Sequence, residues 1–252
     1  MGLFDHLKGL FARGKSESQS AAPSPAPAPG ATDYAARRDR LLAAFPHRLL
    51  PASLSRDEIV AEWERAQDQP GTPVLLLFED YLVDMLEENE WPGDDLPDLD
   101  ALFAGDIDTL THDEGAKPLI GACGEKPGPL VKPLRSLDYA EPAPLYLAQI
   151  PVEQPWEIFK HLPFGGGNIM YEAPVFAAFC KEMNEKYGAR PLLLSATTLE
   201  MKVARRPATP EEAYDLALRM YGLSDSLTQE YGTIWMLADS LLKSDYWFFW
   251  WD

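Results

Sequence analysis

The sequence predicts an α/β or α+β fold, in which helices pack on a mixed β-sheet. Short apolar runs of strand length alternate with stretches whose apolar residues recur at helical spacing, and this alternation is typical of that class. About 46% of the 252 residues are hydrophobic, so the chain can bury a large core. It ends in six consecutive aromatic residues, YWFFWW, followed by Asp252. Because aromatic residues favour strands and both faces of this run are apolar, we expect it to form a strand of the sheet.

The individual helices and strands are predicted from the spacing of apolar residues and from residues that commonly begin or end a helix. Ser55 and Glu58 have the spacing of a capping box, and Thr209 followed by Pro210 marks a second helix start. Gly188 stands where a glycine commonly follows a helix end. The predicted strands are residues 74–78, 145–150, 192–194 and 199–203, and the predicted helices are 34–44, 56–67, 80–90, 99–104, 156–162, 173–187, 210–221 and 233–242.

The N-terminal part is predicted to be organised differently from the rest. Residues 1–14 place their apolar side chains on one helical face, so they could fold against a membrane surface or a groove in a partner, or dock on their own domain. Residues 15–33 are rich in Ser, Ala and Pro, and we expect them to be a disordered linker. The globular domain is predicted at residues 34–252.

The net charge of −18 is unevenly distributed, since no Lys or Arg occurs between Arg65 and Lys117. An acidic surface repels phosphate backbones, which argues against nucleic-acid binding. It would attract a basic protein, although it could also be only a solvated face that keeps the protein in solution. The carboxylates proposed to contact a partner are Asp80, Asp84, Glu87, Glu88, Asp94 and Asp95.

No metal site or cofactor is expected. Neither Asp98 nor Asp106 begins an EF-hand loop, because the sixth position after each start is not glycine. A looser cation site formed by Asp106, Asp108 and His112 remains an alternative. The glycine-rich segment is neither a Walker loop nor a GxGxxG motif.

That segment, HLPFGGGN at residues 161–168, is the first candidate ligand site. Its glycines would let backbone N–H groups approach a ligand closely, and the helix that follows favours an anion at its N-terminus. A tight structural turn is the alternative. The candidate ligand residues are His161, Gly165, Gly166, Asn168 and Glu200. For Glu200, a surface salt bridge at the end of its strand is the structural alternative.

The two cysteines indicate free thiols in a reducing cytoplasm, because they form no CxxC pair. Cys180 lies on the apolar face of a predicted helix and is expected to be buried. Cys123 lies in a glycine-rich loop and is the more reactive candidate, and a pair with His161 is conceivable. No GxSxG elbow or HExxH motif occurs, so no catalytic constellation is identified.

Several residues near the C-terminus are expected to have structural roles. Asp252 carries two carboxylates and could pair with Arg206, while Asp225 could be the N-cap of a helix. The aromatic run is expected to pack in the core, with a stacking platform for a ligand as the alternative. Its tryptophans are Trp247, Trp250 and Trp251.

Residues 145–252 contain an ordered set of segments: PFGGGN, KYGA, LEMKVARRP, EEAYDLALRMY and WFFWWD. In this set the chain resembles the bacterial domain-of-unknown-function family number 4253, and residues 45–86 look like the less regular N-terminal part of that family. The resemblance implies architecture rather than an activity. The family tends to have Trp where Gly167 stands, followed by a Cys-Pro pair. This chain has Ile-Met-Tyr-Glu before its proline, so the resemblance implies no thiol chemistry in that loop.

The absence of a catalytic motif and the concentrated acidic charge favour a binding module over an enzyme. We expect a cytoplasmic protein, most specifically an inhibitory or immunity-type partner that docks its acidic face on a basic target. The alternative is a small-molecule-binding protein or enzyme with a site at residues 165–168.

Overall fold

The computed structural model describes residues 31–78, 80–93, 95–139, 143–165 and 171–251. The predicted helix at residues 1–14 and most of the predicted linker lie outside these ranges. The described residues from Asp33 onward form one compact unit. Six strands form a mixed sheet with helices packed on it, and the aromatic C-terminal run is one of its strands, which confirms the predicted fold class.

The strands are β1 (His47–Leu49), β2 (Thr72–Leu77), β3 (Leu145–Ile150), β4 (Arg190–Leu194), β5 (Thr198–Lys202) and β6 (Tyr246–Trp250). The α-helices are α1 (Ala31–Leu42), α2 (Arg56–Ala66), α3 (Asp80–Glu88), α4 (Leu99–His112), α5 (Lys117–Ile120), α6 (Ala173–Tyr187), α7 (Pro210–Leu223), α8 (Leu227–Tyr231) and α9 (Ile234–Lys243). Two 3-10 helices span Arg135–Asp138 and Pro155–Lys160.

The sheet has the strand order β1-β3-β2-β4-β5-β6. The central pair β2 and β4 is parallel, and the other neighbouring strands are antiparallel. β1 was not predicted from the sequence. All three of its residues are exposed, so it lacks the apolar alternation that identifies a half-buried strand.

The caps predicted at Ser55, Thr209 and Gly188 are confirmed. The Ser55 side chain accepts from the Glu58 N–H, and the Glu58 carboxylate accepts from the Ser55 N–H in return. The Thr209 side chain accepts from the Glu212 N–H at the start of α7. Gly188 ends α6 with a φ of 63°, the left-handed conformation that glycine adopts without strain.

The two faces of the sheet are covered by different elements. On the first face, Phe179 of α6 lies edge-on to Phe249 at 5.4 Å. Tyr187 of the same helix lies edge-on to Trp247 at 5.3 Å. On the second face α2 contributes Trp63, which is buried in a separate cluster of apolar residues. The core therefore extends over both faces of the sheet.

The aromatic run occupies the outer position of the sheet, next to β5. Trp247 and Trp251 are buried and Trp250 is half-buried, as expected for core residues. The predicted contact of Arg206 with Asp252 involves a residue outside the described ranges. Arg206 pairs with Asp245 at 2.6 Å, beside the start of β6.

Candidate functional site

Gly165, the last described residue of the glycine-rich loop, packs tightly against the α3 region. Gly165 has a φ of 132°, and a Cβ atom there would lie 2.3 Å from the carbonyl oxygen of Tyr171. Its N–H points to the sulfur of Met85 at 3.5 Å, and its carbonyl accepts from the side chain of Asn89. These contacts require glycine for backbone packing, which is a structural role. Gly166 and Asn168 lie outside the described residues, and His161 is exposed at the end of the second 3-10 helix.

Glu200 does not join this loop. It alternates with Leu199 and Met201, which face the α6 side of the sheet, so its carboxylate points to the opposite face. There Oε1 accepts from the Ser136 N–H at 2.8 Å and from the Ser136 hydroxyl at 2.6 Å. The prediction that groups Glu200 with Gly165 in one pocket is therefore wrong.

Glu200 holds the segment around Ser136 against β5 through buried hydrogen bonds. The side chain is fully buried, and burial raises the pKa of its carboxyl group although the hydrogen bonds from Ser136 act in the opposite direction. Leu134, just before the first 3-10 helix, has a left-handed φ of 55°, which turns successive N–H groups towards the carboxylate. The surface salt bridge offered as its structural alternative is wrong, and Lys202 pairs with Glu64 instead.

The predicted acidic surface is partly neutralised. Arg37 of α1 pairs with Asp84 at 2.7 Å and with Glu87 at 2.6 Å, and Arg40 lies 3.8 Å from Glu87. The sequence does not reveal this compensation because both arginines precede Asp84 and Glu87 by more than 40 residues. The side chains of Asp84 and Glu87 nevertheless remain 43% and 31% exposed.

An exposed aromatic ring stands among these carboxylates. Tyr81 is 75% exposed, the largest value among the exposed large hydrophobic residues described. Asp84 and Glu88 follow it at the i+3 and i+7 positions of α3, so the three lie along one side of the helix. We call Tyr81, Asp84, Glu87 and Glu88 the acidic face. Of the other predicted partner residues, Asp95 is exposed, Asp94 lies outside the described residues, and the side chain of Asp80 is not described.

A cleft of about 420 Å³ opens between α4, the end of α7 and the residue that follows β6. We call it the tyrosine cleft. It is lined by Asp106, Thr109, Tyr171, Tyr221, Gly222, Leu223, Ser224, Asp225, Ser226 and Trp251.

The cleft is electrostatically negative. The Tyr171 hydroxyl donates to Asp106 Oδ2 at 3.5 Å. Partial burial and the charges of Asp106 and Asp225 raise the pKa of Tyr171, and the same three causes raise the pKa of Tyr221. Both carboxylates therefore act on both rings.

Sequence reasoning did not identify this cleft. The prediction that Asp225 is a helix N-cap is wrong, because the N-cap residue of α8 is Ser226 and Asp225 is exposed at the cleft. The sequence suggests Asp106 only as part of a cation site with Asp108 and His112. No local pattern connects residues that lie more than 100 positions apart, so the fold alone reveals their proximity.

The two cysteines occupy different environments. Cys123 is exposed, and Cys180 is buried in α6 as predicted, with burial raising the pKa of its thiol.

Within the described ranges, no group of three or more His, Cys, Asp or Glu side chains could hold a metal ion. Nor does any helix in that part of the chain have the length and apolar character to cross a bilayer.

Residues 146–252 match the family model described as Domain of unknown function (DUF4253), which confirms the resemblance for this part of the chain. No curated protein and no solved structure matches the chain. The matched region begins within β3 and contains most residues of the tyrosine cleft. The acidic face and Asp106 precede it.

Proposed function

We propose that the protein is a cytoplasmic protein-binding module whose acidic face docks on a basic partner protein. An inhibitory or immunity-type role is the most specific form of this proposal. The observation that carries it is the 75% exposure of Tyr81 beside Asp84 and Glu88. Tyrosines presented in this way are among the residues that most often dominate the energy of protein interfaces.

The helix that carries the acidic face is held rigidly on the domain. Leu82, Val83 and Leu86 of α3 are buried in the main core. Tyr81 and Glu88 thus project from a helix whose opposite side is fixed, so little ordering of the backbone is needed when a partner binds.

The charge of the acidic face indicates what kind of partner surface would bind it. Arg37 neutralises part of the acidic face, but Glu88 is exposed and ends α3 without a basic residue in the last turn. The net charge of −18 adds a long-range attraction for a basic protein. A basic surface with an apolar recess for the Tyr81 ring would fit this face.

Affinity capture with the tagged full-length protein, from cells that produce it, tests the proposal. We expect a basic protein in stoichiometric amount with the wild type, and its loss with Tyr81→Ala and with Glu88→Lys. Leu130→Ala and Glu185→Lys are the matched controls, because Leu130 is 59% exposed and Glu185 is an exposed helical carboxylate elsewhere on the domain. Capture that is equal for all five proteins would contradict the proposal.

A further inference from the structure

We propose that the tyrosine cleft binds an organic cation, a guanidinium or ammonium group on a short apolar chain. This site uses none of the residues of the acidic face, so it does not depend on the function proposed above. The argument rests on the charge of the cleft, its aromatic walls and its size.

The charge of the cleft is uncompensated. Its described lining contains the carboxylates of Asp106 and Asp225 and no Lys, Arg or His side chain. Both residues are exposed, so the carboxylates are accessible to a ligand. A phosphate or carboxylate ligand would be repelled here, whereas a cation in the cleft would be attracted by both carboxylates.

The aromatic walls complement such a cation. Tyr171, Tyr221 and Trp251 line the cleft, and ring faces attract ammonium and guanidinium groups within about 6 Å. The half-buried Tyr171 and Tyr221 rings also offer apolar surface to the methylene groups that carry the charge, whereas Trp251 is only 4% exposed. A ligand that combines charge with a short hydrocarbon chain would therefore use the cleft better than an inorganic cation.

The walls are fixed before any ligand binds. The Trp251 indole N–H donates to the carbonyl of Leu223 at 3.3 Å, and the ring packs edge-on against Phe176 at 5.4 Å. The Tyr171 ring packs against Phe103 at 5.6 Å. A preorganised wall lowers the entropy lost on binding, which favours a specific ligand over loose counterion association.

A metal ion is the less suitable occupant. Calcium takes six to eight oxygen ligands, and within the described part of the chain no group of three or more acidic, His or Cys side chains is placed to hold a metal. The volume of about 420 Å³ lies within the range of small-molecule pockets. It could accommodate the side chain of one arginine or lysine, or a free diamine.

Isothermal titration calorimetry with the full-length protein tests this inference with three probes. N-acetyl-arginine-amide represents an arginine side chain of a peptide, agmatine represents a free amine, and N-acetyl-citrulline-amide is the uncharged isostere. We expect at least one cationic probe to bind at least tenfold more tightly than the citrulline compound. Tighter binding of the arginine amide would identify a peptide as the source of the cation, and tighter binding of agmatine a free amine.

The variants Asp106→Asn and Asp225→Asn assign the binding to the cleft. Each removes one charge without changing side-chain shape at an exposed position, and an unchanged melting temperature verifies the fold. We expect each to weaken binding of the cationic probe at least tenfold. Asp215→Asn, an exposed carboxylate of α7 outside the lining, and Glu88→Lys on the acidic face should leave it unchanged.

Two results would overturn the inference. One is the absence of heat from both cationic probes at millimolar concentration. The other is binding that persists unchanged in Asp106→Asn and Asp225→Asn, because the cation would then lie elsewhere. Neither result bears on the acidic face, whose test measures the capture of a partner protein.

Discussion

The hydroxyl of Tyr231 donates a hydrogen bond to the carbonyl oxygen of Phe248 at 3.3 Å. Phe248 lies in β6, the outer strand of the sheet, where it is paired with Glu200 of the antiparallel strand β5. The next outward-facing carbonyl, that of Trp250, accepts from the Ser224 hydroxyl at 2.7 Å. The Tyr231 and Ser224 hydroxyls thus satisfy two carbonyl groups on the open edge of the aromatic strand, where unpaired groups favour pairing with another chain.

The Tyr231 hydrogen bond should contribute measurably to stability. Replacing Tyr231 with Phe keeps the ring but leaves a buried carbonyl without its donor, so we expect a loss of about 1–3 kcal/mol in the free energy of unfolding. Urea denaturation measures it. Tyr214→Phe is the matched control, because that ring stacks on Trp235 and its hydroxyl makes no hydrogen bond within the described residues. Equal stability of the two variants would contradict this role for Tyr231.

The buried carboxyl of Glu200 should make stability depend on pH. Its pKa is raised in the folded protein, so the folded state keeps the proton to higher pH than the unfolded chain does. Its contribution to stability is therefore complete below the unfolded pKa of about 4.3 and is lost as pH rises through the folded pKa. Glu200→Gln, which keeps an oxygen for Ser136 but does not titrate, should not show this loss.

The check is the difference in free energy of unfolding between wild type and Glu200→Gln, measured from pH 4 upward. We expect wild type to lose stability relative to the variant as pH rises. Glu185→Gln, an exposed carboxylate, serves as the control and should give a flat difference. A flat difference for Glu200→Gln as well would show that its carboxyl group titrates normally.

The two thiols should react at very different rates. Cys123 is exposed, whereas Cys180 is buried and its pKa is raised, so little thiolate is available to react. We expect a disulfide reagent such as DTNB to titrate one thiol per chain in the native protein and both in denaturant. Cys123→Ser should abolish the rapid native reaction. Rapid reaction of both thiols in the native state would contradict the burial of Cys180.

Replacing Gly105 and Gly128 with alanine should change the stability of the protein in opposite directions. Gly105 lies inside α4 with open space around its missing Cβ, so Gly105→Ala should raise stability by about 0.5–1 kcal/mol. At Gly128 a Cβ would lie 1.8 Å from the carbonyl oxygen of Met236 in α9. Gly128→Ala should therefore lower stability by about 1–3 kcal/mol. Thermal denaturation of both variants distinguishes the cases, and changes of the same sign would contradict the packing described.

The elements that the sequence predicted well are those encoded by local signals. The ends of β3 and α6 coincide with the predictions. β3 is identified by its apolar run, and α6 is delimited by a proline in its first turn and by Gly188 after its last residue. β1 carries no such signal. The sheet order depends on pairs such as Leu75 with Leu193, which are too far apart for any local pattern to reveal.

The same distinction applies to the candidate sites. Tyr81 and the carboxylates of α3 are neighbours along the chain, so composition identifies the acidic surface, although not its neutralisation by Arg37. The tyrosine cleft brings Asp106 and Asp225 together only through the packing of α4 against α7. For Glu200 the sequence was misleading. A salt bridge at the surface was one expectation, but the side chain is buried and its carboxylate accepts hydrogen bonds from Ser136.

The most direct test of the proposed function is the salt dependence of affinity for the captured partner. The dissociation constant should be measured for the full-length protein at rising ionic strength, with Glu88→Lys and the control Glu185→Lys beside it. We predict that wild type and the control weaken steeply with added salt, and that Glu88→Lys binds more weakly with a shallower dependence. An affinity that does not change with salt, or that Glu88→Lys leaves intact, would contradict docking through the acidic face.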